Sequence, residues 1–372
     1  MAKKKQRKIR TEFRKNREVR TRDGDLTRDY QEHGFQDDES AQSERVSGKG
    51  ELTRQRTIVV EEEDGTIAPQ VDEETCLPGR VLSIRGLLSD VESEDGQLYR
   101  CATRRLLKSL STDQRHVVAV GDRVMFRPSP GNEGIIERIE PRRRVISRTS
   151  RGKQHILVAN VDQMLIIASA AEPVLKPNLI DRMLVTAEKH GIRPIVCINK
   201  IDLIDPADLQ PLVGVYGQMG YEVRLISATG DVGINLLRAA LRGSASVVVG
   251  QSGVGKSSLL NAIDPKLALR VGRVSDDTNK GKHTTTNAEL IPLDGGGYVI
   301  DTPGIRQFAL WDVIAEEVAG FFRDLHPHES ACRFPDCTHT HEEECAVKDA
   351  VADGKLDARR YESYCNMVIG DG

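Results

Sequence analysis

Along roughly the first 75 residues the apolar side chains follow no period of two or of 3.6, and the stretch is built mainly from Lys, Arg, Glu, Asp, Gln and Ser. Such a chain buries too little surface to offset the entropy of ordering it, so residues 1–75 are expected to be a disordered, charged tail. From about Cys76 to Ile146 short apolar runs alternate with turn signals: GRVLSIRGLLSDVE, DGQLYRCAT, HVVAVGDRVMFRP and GIIERIEPRR. About five short strands at this spacing predict a small antiparallel β-barrel of the OB-fold type over residues 76–146, with Asp95-Gly96 and Gly121-Asp122 as hairpin turns. From Val161 onward strand-like and helix-like runs alternate. VDQMLIIASA is followed by helical NLIDRMLVTAEKHG and the strand PIVCINK, and helical GINLLRAAL leads into the strands ASVVV and GYVID. Alternation of this kind builds a central α/β parallel sheet, assigned to residues 147–320, and leaves 321–372 as a small α-helical C-terminal domain.

Composition changes this picture only locally. The chain has 372 residues and a formal net charge of −3, but its first 22 residues are dominated by Lys and Arg, while Glu61, Glu62, Glu63 and Asp64 form an acidic run. The basic start can either track a phosphate backbone or remain a solvated charge run. Arg104, Arg105, Lys108, Arg142, Arg143 and Arg144 add positive charge to the barrel, where Tyr99 and Phe126 are the aromatics, so any RNA contact there should grip backbone more than bases. No apolar stretch approaches the ~20 residues that cross a bilayer, and the basic start lacks the apolar core of a signal peptide, so a cytoplasmic protein without membrane contact is expected. No heptad or exposed apolar helix argues for self-association, and a monomer is expected.

The chemistry concentrates in four segments. Gly250, Gln251, Ser252, Gly253, Val254, Gly255, Lys256, Ser257 and Ser258 form a phosphate loop between the strand ASVVV and the helical SSLLNAI. Its glycines let backbone N–H groups face phosphate oxygens, Lys256 spans the β and γ phosphates, and Ser257 can hold Mg²⁺. Asn199, Lys200 and Asp202 follow the strand PIVCI, where a carboxylate accepts from the paired N–H groups of guanine, which adenine does not offer. Asn199 would tie this loop to the phosphate loop, Lys200 would cover the base face, and Ser227-Ala228 would complete the pocket. Asp301 to Gly304, the sequence DTPG, ends another strand, with Asp301 placed to reach Mg²⁺ through water and the Gly304 N–H to meet the γ phosphate. Between loop and sensor, His283 is followed by Thr284, Thr285 and Thr286, whose hydroxyls can ligate Mg²⁺.

In ordinary GTPases the phosphate loop precedes the NKxD element; here NKID and SA come first, then GQSGVGKS, HTTT and DTPG. With a barrel before this permuted domain and a Cys/His cluster after it, the chain resembles the bacterial ribosome small-subunit-dependent GTPase A family over about Cys76 to Tyr364, GKHTTT and DTPGIRQF included. The resemblance implies a circularly permuted P-loop GTPase that hydrolyses GTP to GDP, is stimulated by the small (30S) ribosomal subunit, and acts in its late maturation through rRNA contacts. It carries guanine recognition onto Asn199, Lys200 and Asp202, phosphate binding onto Gly250 to Ser258, and Mg²⁺ onto Ser257 and the threonines Thr284 and Thr285. Ile305 stands where Ras-like enzymes place a water-orienting Gln, and the resemblance points instead to His283 as the catalytic group.

Cys332, Cys337, His339 and Cys345 give C-x₄-C-x-H-x₅-C, three thiolates and an imidazole suited to one structural Zn²⁺ with no open position for water. By spacing His341 is an alternative fourth ligand, and the resemblance favours His339. Cys76, Cys101, Cys197 and Cys365 read as small apolar residues. An alternative to the enzyme is a nucleotide-gated RNA-binding module in which hydrolysis is incidental.

Overall fold

A computed structural model of the chain describes residues 5–12, 55–63, 66–69, 74–104, 107, 117–150, 153–269, 288–301 and 313–370. Two compact units result, Met1–Glu74 and Thr75–Gly372. In the first, β1 (Lys5–Glu12), β2 (Gln55–Glu63) and β3 (Thr66–Pro69) form an antiparallel sheet with β2 in the centre. These strands depart from the disorder expected of residues 1–75. The β-branched run Thr57-Ile58-Val59-Val60 favours extended backbone, and a composition averaged over the whole stretch conceals it.

The second unit opens with five strands: β4 (Leu77–Arg85), β5 (Leu88–Ser93), β6 (Leu98–Thr103), β7 (Arg123–Ser129) and β8 (Glu133–Ile139). They close a barrel in the order β4-β5-β6-β8-β7, with β6 and β8 parallel and β7 returning to pair with β4. This is the OB connectivity. Val81, Val91, Cys101, Val124, Phe126 and Ile136 fill it, drawn from all five strands and two of them from β7, on the faces that the alternating pattern turns inward. Asp95-Gly96 does join β5 to β6. Gly121-Asp122 is not a hairpin turn: the buried Asp122 carboxylate accepts from Ala119 N (2.7 Å) and from Arg142 (Nε 2.7 Å, Nη2 2.8 Å), anchoring the start of β7.

The hairpin β9 (Val145–Ser150) and β10 (Lys153–Ala159) leads into the α/β sheet. There β11 (Gln163–Ser169), α1 (Pro177–Lys189), β12 (Arg193–Asn199), α2 (Gln210–Gln218), β13 (Glu222–Leu225) and α3 (Ile234–Leu241) come first. They are followed by β14 (Ala245–Val249), α4 (Lys256–Ile263), β15 (Glu289–Pro292) and β16 (Tyr298–Asp301). The strand order is β13-β12-β11-β14-β16-β15, parallel except for β15 against β16. β12 is buried from Pro194 to Asn199, as an apolar run covered on both faces requires. Ile180, Met183, Leu184 and Ala187 repeat at helical spacing and put one face of α1 on the sheet.

The C-terminal module contains α5 (His326–Glu329), α6 (Ala346–Ala352) and α7 (Ala358–Ile369), the last capped by Asp357, whose carboxylate accepts from Arg359 N (3.0 Å) and Arg360 N (3.2 Å). Phe322, Leu325, Val347, Leu356, Tyr364 and Met367 form its core with Val185 of α1. Among the described residues no helix is long and apolar enough to cross a membrane.

Candidate functional site

The chain steps outward from β11 through β12 to β13, then crosses back to β14 on the other flank of β11. In a parallel sheet this reversal opens a crevice beyond the C-terminal strand ends. The predicted motifs gather there because each follows a strand: Asn199-Lys200-Ile201-Asp202 after β12, Ser227-Ala228 after β13, Gly250 to Ser258 after β14, and Asp301 at the end of β16. Permuting the order in which the strands are threaded leaves their positions in the sheet, and so the crevice, intact.

The phosphate loop enters α4 with Gly250, Gly253 and Gly255 at φ of 153°, 81° and 92°. Two of these glycines are required by close approach as well. A Cβ on Gly250 would lie 2.3 Å from Ile167 O, and one on Gly255 2.5 Å from Asn199 Nδ2. Val254 is buried, and Lys256 Nζ donates to Gly250 O (2.6 Å) and Gln251 O (2.7 Å), which keeps the ammonium folded over the loop. Ser257 and Ser258 stand in the first turn of α4, where unpaired backbone N–H groups favour anions.

Asn199 is 1% exposed and joins three loops: its Nδ2 donates to Val254 O (2.9 Å), and its Oδ1 accepts from Ala228 N (3.2 Å). Lys200 has φ 64° and donates from Nζ to Glu172 O, so its stem bridges the loops that follow β12 and β11. Ser227 Oγ donates to Asp202 Oδ1 (2.5 Å) and holds that carboxyl below the usual carboxylate range, so it is ionised at neutral pH. Thr229, which the sequence reading passes over, donates to Asp202 Oδ2 at 3.3 Å; its place two residues after Ser227 was the available signal. An ionised carboxylate fixed from one side and open on the other suits the paired donors of guanine. His283, Thr284, Thr285, Thr286, Gly304 and Ile305 lie outside the described residues, and Asp301 is described by its backbone alone.

The second cluster brings Cys332, Cys337, His339 and Cys345 together, with their ligand atoms all within 4.8 Å of one another. Cys332 Sγ is 3.9 Å from Cys345 Sγ, and His339 Nδ1 is 3.4 and 3.5 Å from these two sulfurs. Tetrahedral zinc with ordinary bond lengths demands about 3.8 Å between sulfurs and about 3.5 Å from sulfur to nitrogen, so the donor set fits that ion. Burial lowers the His339 pKa, which keeps the imidazole neutral and able to ligate. The His341 side chain is 81% exposed and outside the cluster. Tyr361 and Tyr364 fasten the knuckle to α7 by donating to His339 O (2.7 Å) and Thr338 O (2.6 Å).

Two of the arginines expected to give the barrel a free basic face are engaged. Arg142 holds the buried Asp122, and Arg104 donates to Glu137 at 2.8 Å. Their local sequence shows charge but not the partner 20 or 33 residues away. Arg143 and Arg144 are exposed, and Arg105 and Lys108 lie outside the described residues.

A family model described as RsgA GTPase matches residues 139–311. The chain is 42% identical over 299 residues to the small ribosomal subunit biogenesis GTPase RsgA of Chromohalobacter salexigens, covering 78% of this chain and 85% of that one. It is 42% identical over 338 residues to the protein of that name from Pseudomonas aeruginosa, covering 89% and 94%. Among solved structures it resembles YjeQ from Thermotoga maritima at a TM-score of 0.67 and 34% identity, over 80% of this chain and 100% of that one. With the permuted motifs gathered at one crevice, the barrel before them and the Cys/His knuckle behind, these likenesses show that the chain belongs to the RsgA GTPase family.

Proposed function

We propose that this chain binds GTP in the crevice at the ends of β11, β12 and β14 and hydrolyses it to GDP and phosphate, stimulated by the small ribosomal subunit, in the late maturation of that subunit. One observation carries the reading. Asn199 ties the guanine loop to both the phosphate loop and Ala228, while Asp202 is held ionised and oriented by Ser227. These bonds tie the three loops together, which supports reading guanine recognition and phosphate binding as one unit. Mg²⁺, when bound, neutralises charge between the β and γ phosphates; Ser257, Thr284 and Thr285 are its ligands in this reading. The C-terminal knuckle holds one structural Zn²⁺ through Cys332, Cys337, His339 and Cys345 and, with the barrel, contacts rRNA. The protein acts in the cytoplasm as a monomer.

His283 orients the attacking water once the ribosomal partner orders its loop, supplying what Ile305 lacks. His283→Ala should therefore lower subunit-stimulated turnover by roughly 10²–10⁴-fold while GDP affinity stays unchanged; normal stimulated turnover would remove His283 from the mechanism. The deciding experiment is steady-state phosphate release from GTP with the protein alone, with small subunits and with large subunits. Acceleration by small subunits alone supports the reading. Slow turnover indifferent to either subunit favours the RNA-binding module with incidental hydrolysis, to which the isoleucine at 305 lends weight. ATP displacing GDP as well as GTP does would overturn the guanine assignment of Asp202.

A further inference from the structure

Outside the crevice, the most thoroughly buried charge cluster among the described residues joins the C-terminal module to the α/β domain. Arg360 of α7 donates from Nη1 to Asp181 Oδ1 of α1 (2.7 Å), and from Nε and Nη2 to the two carboxylate oxygens of Asp324 (3.0 and 2.9 Å). Its guanidinium lies 4.3 Å over the Phe322 ring. The Tyr216 hydroxyl of α2 donates to the same Asp181 oxygen at 2.9 Å. The Arg360 and Asp181 side chains are 3% and 1% exposed. Burial pulls the Arg360 pKa down, but Asp324 and Asp181 more than reverse this, and it is charged at every accessible pH. Apolar residues of like volume would commonly stabilise such a seam as well, so what this cluster adds is a fixed geometry.

That geometry ends at the guanine motif. α1 starts from the strand ends that form the crevice, and Asp181 is in its first two turns. Ile180, Leu184, Leu212 and Tyr216 around the cluster pack in one core with Ile198 and Ile201, and Ile201 lies inside the NKID loop. The connection from β11 to α1 supplies Glu172 O to Lys200 Nζ.

We propose that Arg360 is a positioning residue for the guanine pocket. It locks the C-terminal module to α1, so that a partner displacing the module changes how firmly Lys200 and Asp202 hold the base and hence how fast GDP leaves. This rests on the guanine-nucleotide reading above. No local signal announced it, since Arg360 and Asp181 are 179 residues apart.

The test is dissociation of a fluorescent GDP analogue from the full-length protein carrying Arg360→Lys or Asp324→Asn, beside Met367→Ala, which removes buried volume from the same module but none of the hydrogen-bonding groups of the cluster. Arg360→Lys keeps the charge but not the fork that holds two carboxylates. Asp324→Asn leaves the Arg360–Asp181 bond in place should the first variant fold poorly. Both should raise the GDP dissociation rate at least about five-fold, the lower range for coupled sites, with zinc content retained. Met367→Ala should lower the melting temperature at least as far as the two cluster variants do while leaving that rate within about two-fold. Unchanged rates in the two cluster variants, or an equal rise in Met367→Ala, overturn the inference alone. A wild-type protein that does not bind GDP overturns the guanine reading and the inference with it.

Discussion

Ser227 shows how much one hydroxyl can decide. It accepts from Gly230 N (2.8 Å) and donates to Asp202, so the loop after β13 sets the ionisation of a residue after β12. Because the Asp202 pKa is lowered in the folded protein, the carboxylate is charged above its ordinary value and becomes protonated only as pH falls through the lowered one. Guanine affinity should follow that charge. Ser227→Ala removes the donor and returns the pKa upward, so the acid loss of GDP binding should begin at higher pH, with affinity about ten-fold weaker at neutral pH. Fluorescent-GDP titrations of both proteins across the acid range check this. Identical acid limbs would mean that Ser227 only shapes the loop. Asn199, Lys200, Asp202 and the phosphate-loop residues were legible as types at fixed spacings. That Asn199 Oδ1 takes Ala228 N while Nδ2 takes Val254 O was not, because these partners are 29 and 55 residues away.

At the scale of an element, the Cys/His knuckle is held from outside by Glu342. Its carboxylate accepts from Thr338 N (2.7 Å), Thr338 Oγ1 (2.6 Å) and Thr340 N (3.0 Å), spanning the turn that carries His339. Partial burial pushes the Glu342 pKa up, but these hydrogen bonds more than reverse it, to about 2. A carboxyl lowered in the folded state contributes stability that is complete above its ordinary value of 4.5 and fades as pH falls toward about 2. Glu342→Ala should loosen the turn and weaken zinc retention against a chelator by roughly ten-fold, the smaller end for residues that orient metal ligands. Competition with a zinc indicator reads it out, and retention equal to wild type would make the carboxylate incidental. The four ligand positions were visible in the C-x₄-C-x-H-x₅-C spacing. The choice of His339 over His341 became structural only when the chain placed His339 at φ 58° and turned it inward.

At the scale of the whole molecule, barrel and sheet are not beads on a string. Leu82 of β4 shares one core with Val247 of β14 and with Leu290 and Ile300 of the hairpin that ends at Asp301. Beside it, Tyr298 of β16 donates to Glu92 of β5 at 2.8 Å under the Arg80 guanidinium. Leu82→Ala should cost about 2–4 kcal/mol and lower the protection of both the barrel and the α/β sheet together in hydrogen exchange; loss confined to the barrel would show that the two fold apart. The sequence by itself determined the barrel, the alternating α/β domain, the permuted order of the nucleotide motifs and the three clustered cysteines with a histidine between them. Each of these is written in a local period or spacing that backbone geometry must obey. Only the tertiary structure decided that Arg142 and Arg104 are held by barrel carboxylates, that Gly121-Asp122 anchors a strand, and that Arg360 joins the last helix to α1. Those outcomes depend on which distant groups share a dehydrated interior, where an unpaired charge is too costly to leave, and no local pattern records that choice.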